Sequence, residues 1–276
     1  MNCRFRQLIG ALFVAMMLTT AANAQTQSFV RYEQNGVISW GELRGDTIHQ
    51  LSDAPYLDGQ ATGQTVARSA VTLKAPAEPR LVVMTALNFR SHISGEPAEY
   101  PGLFIVPPYS VIGPEEDIVR PAGSTNLHYE AELVVVIGQR AHKVSIDEAS
   151  DYVFGVTAGN DVSERAWQRA DLQWTRAKGA DTFNPVGPVL VTGLDYGNLE
   201  IVGRLNGEER QRENSADMIF SIDHMVSYIS HYFTLEPGDM IWSGTMGTTR
   251  AMEPGDVYEV EVEGVGILRN RVVQGE

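Results

Sequence analysis

HYEAELVVVIG, residues 128–138, carries an apolar run, Leu133 to Ile137, of the kind a buried strand makes. Two acids, Glu130 and Glu132, stand at its mouth. Strand side chains alternate faces, so both carboxylates point the same way, about 6–7 Å apart along the chain. Like charges so placed repel, and each is costly to bury without a partner. Either both face water or a cation sits between them. The residues of this stretch leave both solutions open.

Outward from it, further β signals appear at Leu81 to Met84, Val189 to Val191 and Leu199 to Leu205, the last turning at Asn206-Gly207. The tail, DVYEVEVEGVGILRNRV, alternates over many residues. One long helix is expected after Ser215: Met218, Ile219, Ile222, Met225, Val226, Ile229 and Phe233 follow helical spacing, and Pro237-Gly238 stops it. A shorter helix is expected to begin at Asp161. Strands outnumber helices and do not alternate with them, which argues against a doubly wound sheet and for a β-rich α+β fold. Nearer the start, FVRYEQ-NG-VISWGEL reads as a hairpin on a turn that favours positive φ. DGQATGQTVARSA shows no clear periodicity, and the prolines of VTLKAPAEPR suggest a linker. The boundary is set near Ala77, giving a small β domain over 25–77 and a larger domain over 78–276.

The first 24 residues have the layout of a secretory signal peptide: Arg4 and Arg6, an apolar stretch from Leu8 to Leu18, and Ala22-Asn23-Ala24 as cleavage site. Cys3, the chain's one cysteine, leaves with that segment. The expected product is a disulfide-free protein exported to a bacterial periplasm. Removing the segment takes two arginines from the 21 basic residues and no acid, so 19 face 35 and the net charge is −16. No basic run interrupts that balance, which argues against nucleic acid or, after cleavage, a membrane as partner.

Familiar catalytic signatures are missing: no G-x-S-x-G, no H-E-x-x-H, no P-loop and no G-x-G-x-x-G. Carboxylates and histidines remain. In GNDVSERAWQ, residues 159–168, Asp161 and Glu164 have capping-box spacing, so Asp161 is either a helix N-cap or a third acid facing Glu130 and Glu132. Three converging carboxylates would need a hard divalent cation, Mg²⁺, Mn²⁺ or Ca²⁺.

LNFRSH, YEAELVVVIG, YVFGVTAGNDVSERAWQ, AKGADTFNPVGPVLVTG, LNGEERQ and LEPGDMIWSGTMG occur in that order. Together they resemble the fumarylacetoacetate hydrolase family from about Pro79 to the C-terminus, and the leading hairpin resembles the small N-terminal domain of some bacterial and archaeal members. The resemblance implies a mixed β-roll, usually dimeric, with metal ligands at Glu130, Glu132 and Asp161. It implies that Arg165 and Gln168 bind a substrate carboxylate or carbonyl, that Lys178 neutralises developing negative charge, and that Thr245 meets the substrate. His92 matches the family's water-activating base, which works with an acid three residues on. Here that position is Gly95 and the acid is Glu96. Val106 stands where the family often has Lys, and Met246 where it has Pro.

The implied activity is metal-dependent C–C hydrolysis of a small 2-oxo or β-diketo acid through an enolate. Lyase, isomerase and decarboxylase chemistry of the same family are the alternatives. A catalytically degraded exported binding protein for a metal-chelated carboxylate is the non-enzyme alternative. A carboxylate-pair glycosidase would want aromatic sugar platforms, which four scattered tryptophans do not supply.

Overall fold

The structure, a computed structural model, describes residues 26–276, so the expected signal segment and its cleavage site lie outside the described residues. The N-terminal strands are β1 (Gln27–Gln34), β2 (Val37–Arg44), β3 (Thr47–Leu51), β4 (Ala61–Ala67) and β5 (Thr72–Lys74). Next come β6 (Val82–Ala86), β7 (Gly102–Val106), β8 (Val111–Ile112) and β9 (Ile118–Arg120). They are followed by β10 (Leu127–His128), β11 (Ala131–Ile137), β12 (Val153–Asn160) and β13 (Ser163–Glu164). Two short helices, α1 (Arg165–Ala170) and α2 (Thr175–Gly179), precede β14 (Asn184–Thr192), β15 (Glu200–Leu205) and β16 (Glu208–Asn214). Helix α3 (Ile222–Ser230) leads to β17 (Met240–Trp242), β18 (Val257–Val262) and β19 (Gly266–Gln274). The β-rich α+β reading holds.

Twelve strands form one mixed sheet whose main path runs β4-β3-β2-β1-β14-β12-β11-β17-β6-β7. A five-stranded sheet, β16-β15-β18-β19-β9, lies against β11, β12 and β14. Strand β11 explains why both exist. All seven of its residues are buried. Leu133, Val135 and Ile137 join one core cluster, while Val134 and Val136 join another on the opposite face. That division follows from the two-residue period of a strand, and it accounts for an unbroken apolar run rather than an alternating one. Glu132 falls on the Val134 face.

The two Asn-Gly turns behave as read. Asn35 and Gly36 have φ of 53° and 78° and join β1 to β2. Asn206 and Gly207, at 54° and 80°, join β15 to β16. Positive φ at both turn positions matches the twist of the strands they connect. The stretch without periodicity contains β4, a largely exposed edge strand. With neither face buried, no alternation marks it. The expected linker also contributes β5, which pairs with β1. Its end is tied down where Asp239 Oδ1 accepts from Arg80 N and Leu81 N at 3.0 and 2.8 Å. Through β1 and β14 the N-terminal strands continue the large sheet.

The helix readings need correction. The expected helix from Ser215 is α3 alone, capped by Ser221, whose Oγ accepts from His224 N. Residues 219–220 are held out of it by Asn88: its backbone oxygen accepts from Ile219 N, and its side chain bonds both Phe220 N and Phe220 O. The shorter helix does not begin at Asp161. It begins at Arg165, with Glu164 as N-cap accepting from Ala166 N at 2.7 Å. Asp161 is thereby freed from capping.

Candidate active site

Antiparallel pairing of β11 with β12 sets Ala131 opposite Asn160. Asp161 therefore emerges beside Glu130, and Asp161 N donates to Glu130 O at 2.9 Å. One carboxylate oxygen from each of Glu130, Glu132 and Asp161 lies within 4.8 Å of the others. All three residues are buried, at 3%, 2% and 1% exposure. The solvated-pair reading of the two glutamates does not fit that burial.

Lys178 enters from α2. Its Nζ donates to Glu130 Oε2 and Asp161 Oδ2, both at 2.5 Å, and lies 5.5 Å from the centre of the Phe104 ring. The helix can come that near because residue 179 is Gly: a Cβ there would meet Pro107 Cδ at 2.6 Å. Arg165 opens α1 and donates to Glu130 Oε1, to Gln168 Oε1 at 2.8 Å and to Thr249 Oγ1 at 3.0 Å. His92 Nδ1 lies 2.6 Å from Gly247 O, so the proton sits on Nδ1 and Nε2 is the free basic nitrogen. That nitrogen is 3.9 Å from Glu130 Oε1.

The electrostatics divide the three acids. Burial alone would raise Glu130, but the charges of Lys178, Arg165 and His92 outweigh it and hold the carboxyl down at about 2. Burial, then the charge of Glu130, pushes Asp161 up to about 7, although Lys178 opposes the shift. Burial, then Asp161 and Glu130, raises Glu132 well above the carboxylate range. Lys178 stays charged: burial would lower it, but Asp161 and Glu130 raise it further.

The residues fit a hard divalent cation. Glu132 accepts one hydrogen bond, from Gly244 N at 2.8 Å. Among the described residues no basic side chain pairs with it. Lys178 and Arg165 answer Glu130 and Asp161, while Glu132 has a single amide, so three buried acids face two cations and leave negative charge that an oxygen-seeking dication would balance. Gly244 has φ 86°, and a Cβ there would meet Thr85 O at 2.9 Å, so the amide that reaches Glu132 requires glycine.

Eight of the nine residues named from sequence line this one pocket: His92, Glu130, Glu132, Asp161, Arg165, Gln168, Lys178 and Thr245. Glu96 does not. Its side chain is 94% exposed and 3.7 Å from Arg90 Nη1. Thr245 is present, but its hydroxyl donates to Ala131 O at 2.9 Å and accepts from Gln211 Nε2 at 2.9 Å. Val106 is fully buried under α2.

Gln211 is the residue sequence reasoning missed. Its Oε1 accepts from Ala131 N at 3.0 Å and from Tyr258 Oη at 2.7 Å. The residue between the two glutamates is thus gripped at both edges, N–H by Gln211 and C=O by Thr245. EERQREN carries charge on every side of Gln211 and gave no sign that this one polar residue is buried.

A buried, all-oxygen acidic triad with a lysine and a histidine, on a β-rich mixed α+β frame, defines a metal-site enzyme class. Residues 81–273 match the family described as Fumarylacetoacetate (FAA) hydrolase C-terminal, and residues 28–76 match Rv2993c-like, N-terminal. The chain belongs to the fumarylacetoacetate hydrolase family. It is 39% identical over 240 residues to a protein of Mycobacterium tuberculosis, covering 85% of this chain and 91% of that one. It is 36% identical over 222 residues to the mitochondrial oxaloacetate tautomerase FAHD2A of Bos taurus, covering 75% and 71%. The structure of a 5-carboxymethyl-2-hydroxymuconate delta-isomerase from Mycobacterium smegmatis matches with a TM-score of 0.86 at 34% identity, covering 90% of this chain and all of that one.

Proposed function

We propose that the chain is a divalent-metal-dependent enzyme that moves a proton at the carbon beside the ketone of a small 2-oxo acid. Keto–enol tautomerisation or double-bond isomerisation is favoured over C–C hydrolysis. One observation carries that choice: Glu96, the acid that would help His92 activate water, is in solvent beside Arg90. His92 is left as a lone base with Nε2 toward the acidic floor.

Glu130, Glu132 and Asp161 would hold Mg²⁺, with Mn²⁺ or Ca²⁺ as substitutes. When bound, the cation supplies Lewis acidity toward the oxygens of a 2-oxo acid. Arg165 and Gln168 orient the substrate's carboxylate. His92 Nε2 takes the proton from carbon; the C–H electron pair moves into the carbonyl to give an enolate, and the imidazolium returns the proton to oxygen or to another carbon. Lys178, charged and buried, stabilises the anion as it forms. Tautomerase and isomerase relatives support the same reading.

The test is enol-to-keto conversion of oxaloacetate, followed by ultraviolet absorbance, beside cleavage of acylpyruvates, each with Mg²⁺ and with chelator. Metal-dependent acceleration of the first is expected. Metal-dependent acylpyruvate cleavage without it would restore the hydrolase reading. Binding of 2-oxo acids without turnover of any would favour the degraded binding protein. Export after residue 24 and assembly as a homodimer belong to the same proposal. Among the described residues no helix is long and apolar enough to cross a membrane.

A further inference from the structure

The acidic floor opens onto a second, different cavity. The inner space, bounded by His92, the three acids and Lys178, is about 30 Å³. That is room for a small polar head and little else. The outer space is about 400 Å³. Leu87, Phe104 and Trp174 wall both, so the two are continuous. Phe104 and Trp174 meet edge to face, with ring centres 5.3 Å apart, and form the step between them.

Chemistry changes across that step. Leu87, Leu103, Leu172 and Gln173 complete the outer wall, and among the described residues no acidic or basic side chain lines it. Leu172 is 96% exposed and Leu87 54%. Leu87 also has φ 57°, a left-handed conformation uncommon for any residue but glycine. Such conformations gather at ligand sites. Apolar side chains left in water at the mouth of a polar pocket gain when a ligand covers them.

We propose that the outer cavity is a substrate subsite for an uncharged aryl or branched-alkyl substituent. On this reading the enzyme takes 2-oxo acids with apolar tails in preference to dicarboxylic ones. The inference rests on the 2-oxo acid reading of the inner pocket. A second carboxylate projecting from the floor would find Leu172 and Trp174 rather than an arginine or lysine, and desolvating it there would be unfavourable.

The experiment measures dissociation constants by titration calorimetry on the Mg²⁺-loaded protein for three probes. Pyruvate is the head alone, phenylpyruvate adds an aryl tail, and oxaloacetate adds a charged one. Phenylpyruvate is expected to bind at least about tenfold tighter than pyruvate, a discrimination typical of an apolar pocket. Leu172→Arg should pull the phenylpyruvate-to-pyruvate affinity ratio toward one and tighten oxaloacetate. Gln173→Arg, also on the outer wall, should do the same if Leu172→Arg fails to fold. Phenylpyruvate binding no tighter than pyruvate, or a ratio unmoved by both variants, overturns the subsite alone. Failure of all three probes to bind overturns the 2-oxo acid reading, and the subsite with it.

Discussion

Replacing Lys178 with Met keeps the side chain's length and removes its charge. In the metal-free protein the ammonium bonds Glu130 and Asp161 at 2.5 Å each, in a setting closed to water. Glu130 is held at about 2 against an ordinary 4.5. A lowered folded value contributes stability that is whole above the ordinary value and is lost as pH falls toward the lowered one. At about 1.4 kcal/mol per tenfold, the drop is worth about 3 kcal/mol at neutral pH, shared chiefly between Lys178 and Arg165. Removing one partner of a buried pair costs about 3–5 kcal/mol, because the other charge is stranded. We therefore expect Lys178→Met to lose about 3 kcal/mol in urea unfolding with chelator at neutral pH. A saturating dication returns about 4 kcal/mol at a thousandfold excess over Kd. With the ammonium gone the cation meets less competing charge, so it should bind the variant more tightly and close most of the gap. A deficit of equal size with and without Mn²⁺, or none with chelator, would refute this account of the cluster.

Glu132→Gln should abolish stoichiometric Mg²⁺ or Mn²⁺ binding in calorimetry while raising the metal-free Tm, since an amide avoids an ionised buried acid; unchanged metal content would remove Glu132 from the site. Asp161 and Glu132 both have raised folded values, so their contribution is present at low pH and lost as pH rises. Chelated protein should accordingly lose Tm between about pH 5 and pH 8, and bound metal should abolish that slope. His92→Ala should cut kcat by about 10²–10⁴ with metal affinity retained, whereas Glu96→Gln should stay near wild type. An equal loss in the Glu96 variant would mean that its loop closes over His92 in turnover. Mass spectrometry of the native protein should find Gln25 at the N-terminus, and a retained leader would refute export.

The parts of this fold that were legible in sequence are those where one physical demand dominates. Leu133 to Ile137 had to be a buried strand, and the Asn-Gly pairs had to turn. Periodicity failed where a distant side chain intervened: Met218 and Ile219 fit a helix, but Asn88 takes the backbone groups of residues 219 and 220. Capping spacing misled at Asp161 because Glu164 is itself a cap, gathering Ser124, Thr125 and Asn126 as well as Ala166. The acidic triad was legible by resemblance to a family, and the E-x-E spacing alone left it open. Gln211 was illegible, since its partners lie 34, 47 and 80 residues away.

Gln211 also links the two sheets to each other. It lies on β16, in the five-stranded sheet, yet the backbone it holds is the short span between two acids at the end of β11 in the other sheet. Opening of that smaller sheet, even for a moment, would let the spacing of Glu130 and Glu132 drift and weaken any ion they share. By reciprocity, an ion on the acids must oppose the opening. Slowed amide hydrogen exchange along β15, β16 and β18 on adding Mg²⁺, with strands beyond the clamp unaffected, is therefore the signature of this linkage. The metal would act as a fastener between sheets as well as a reagent.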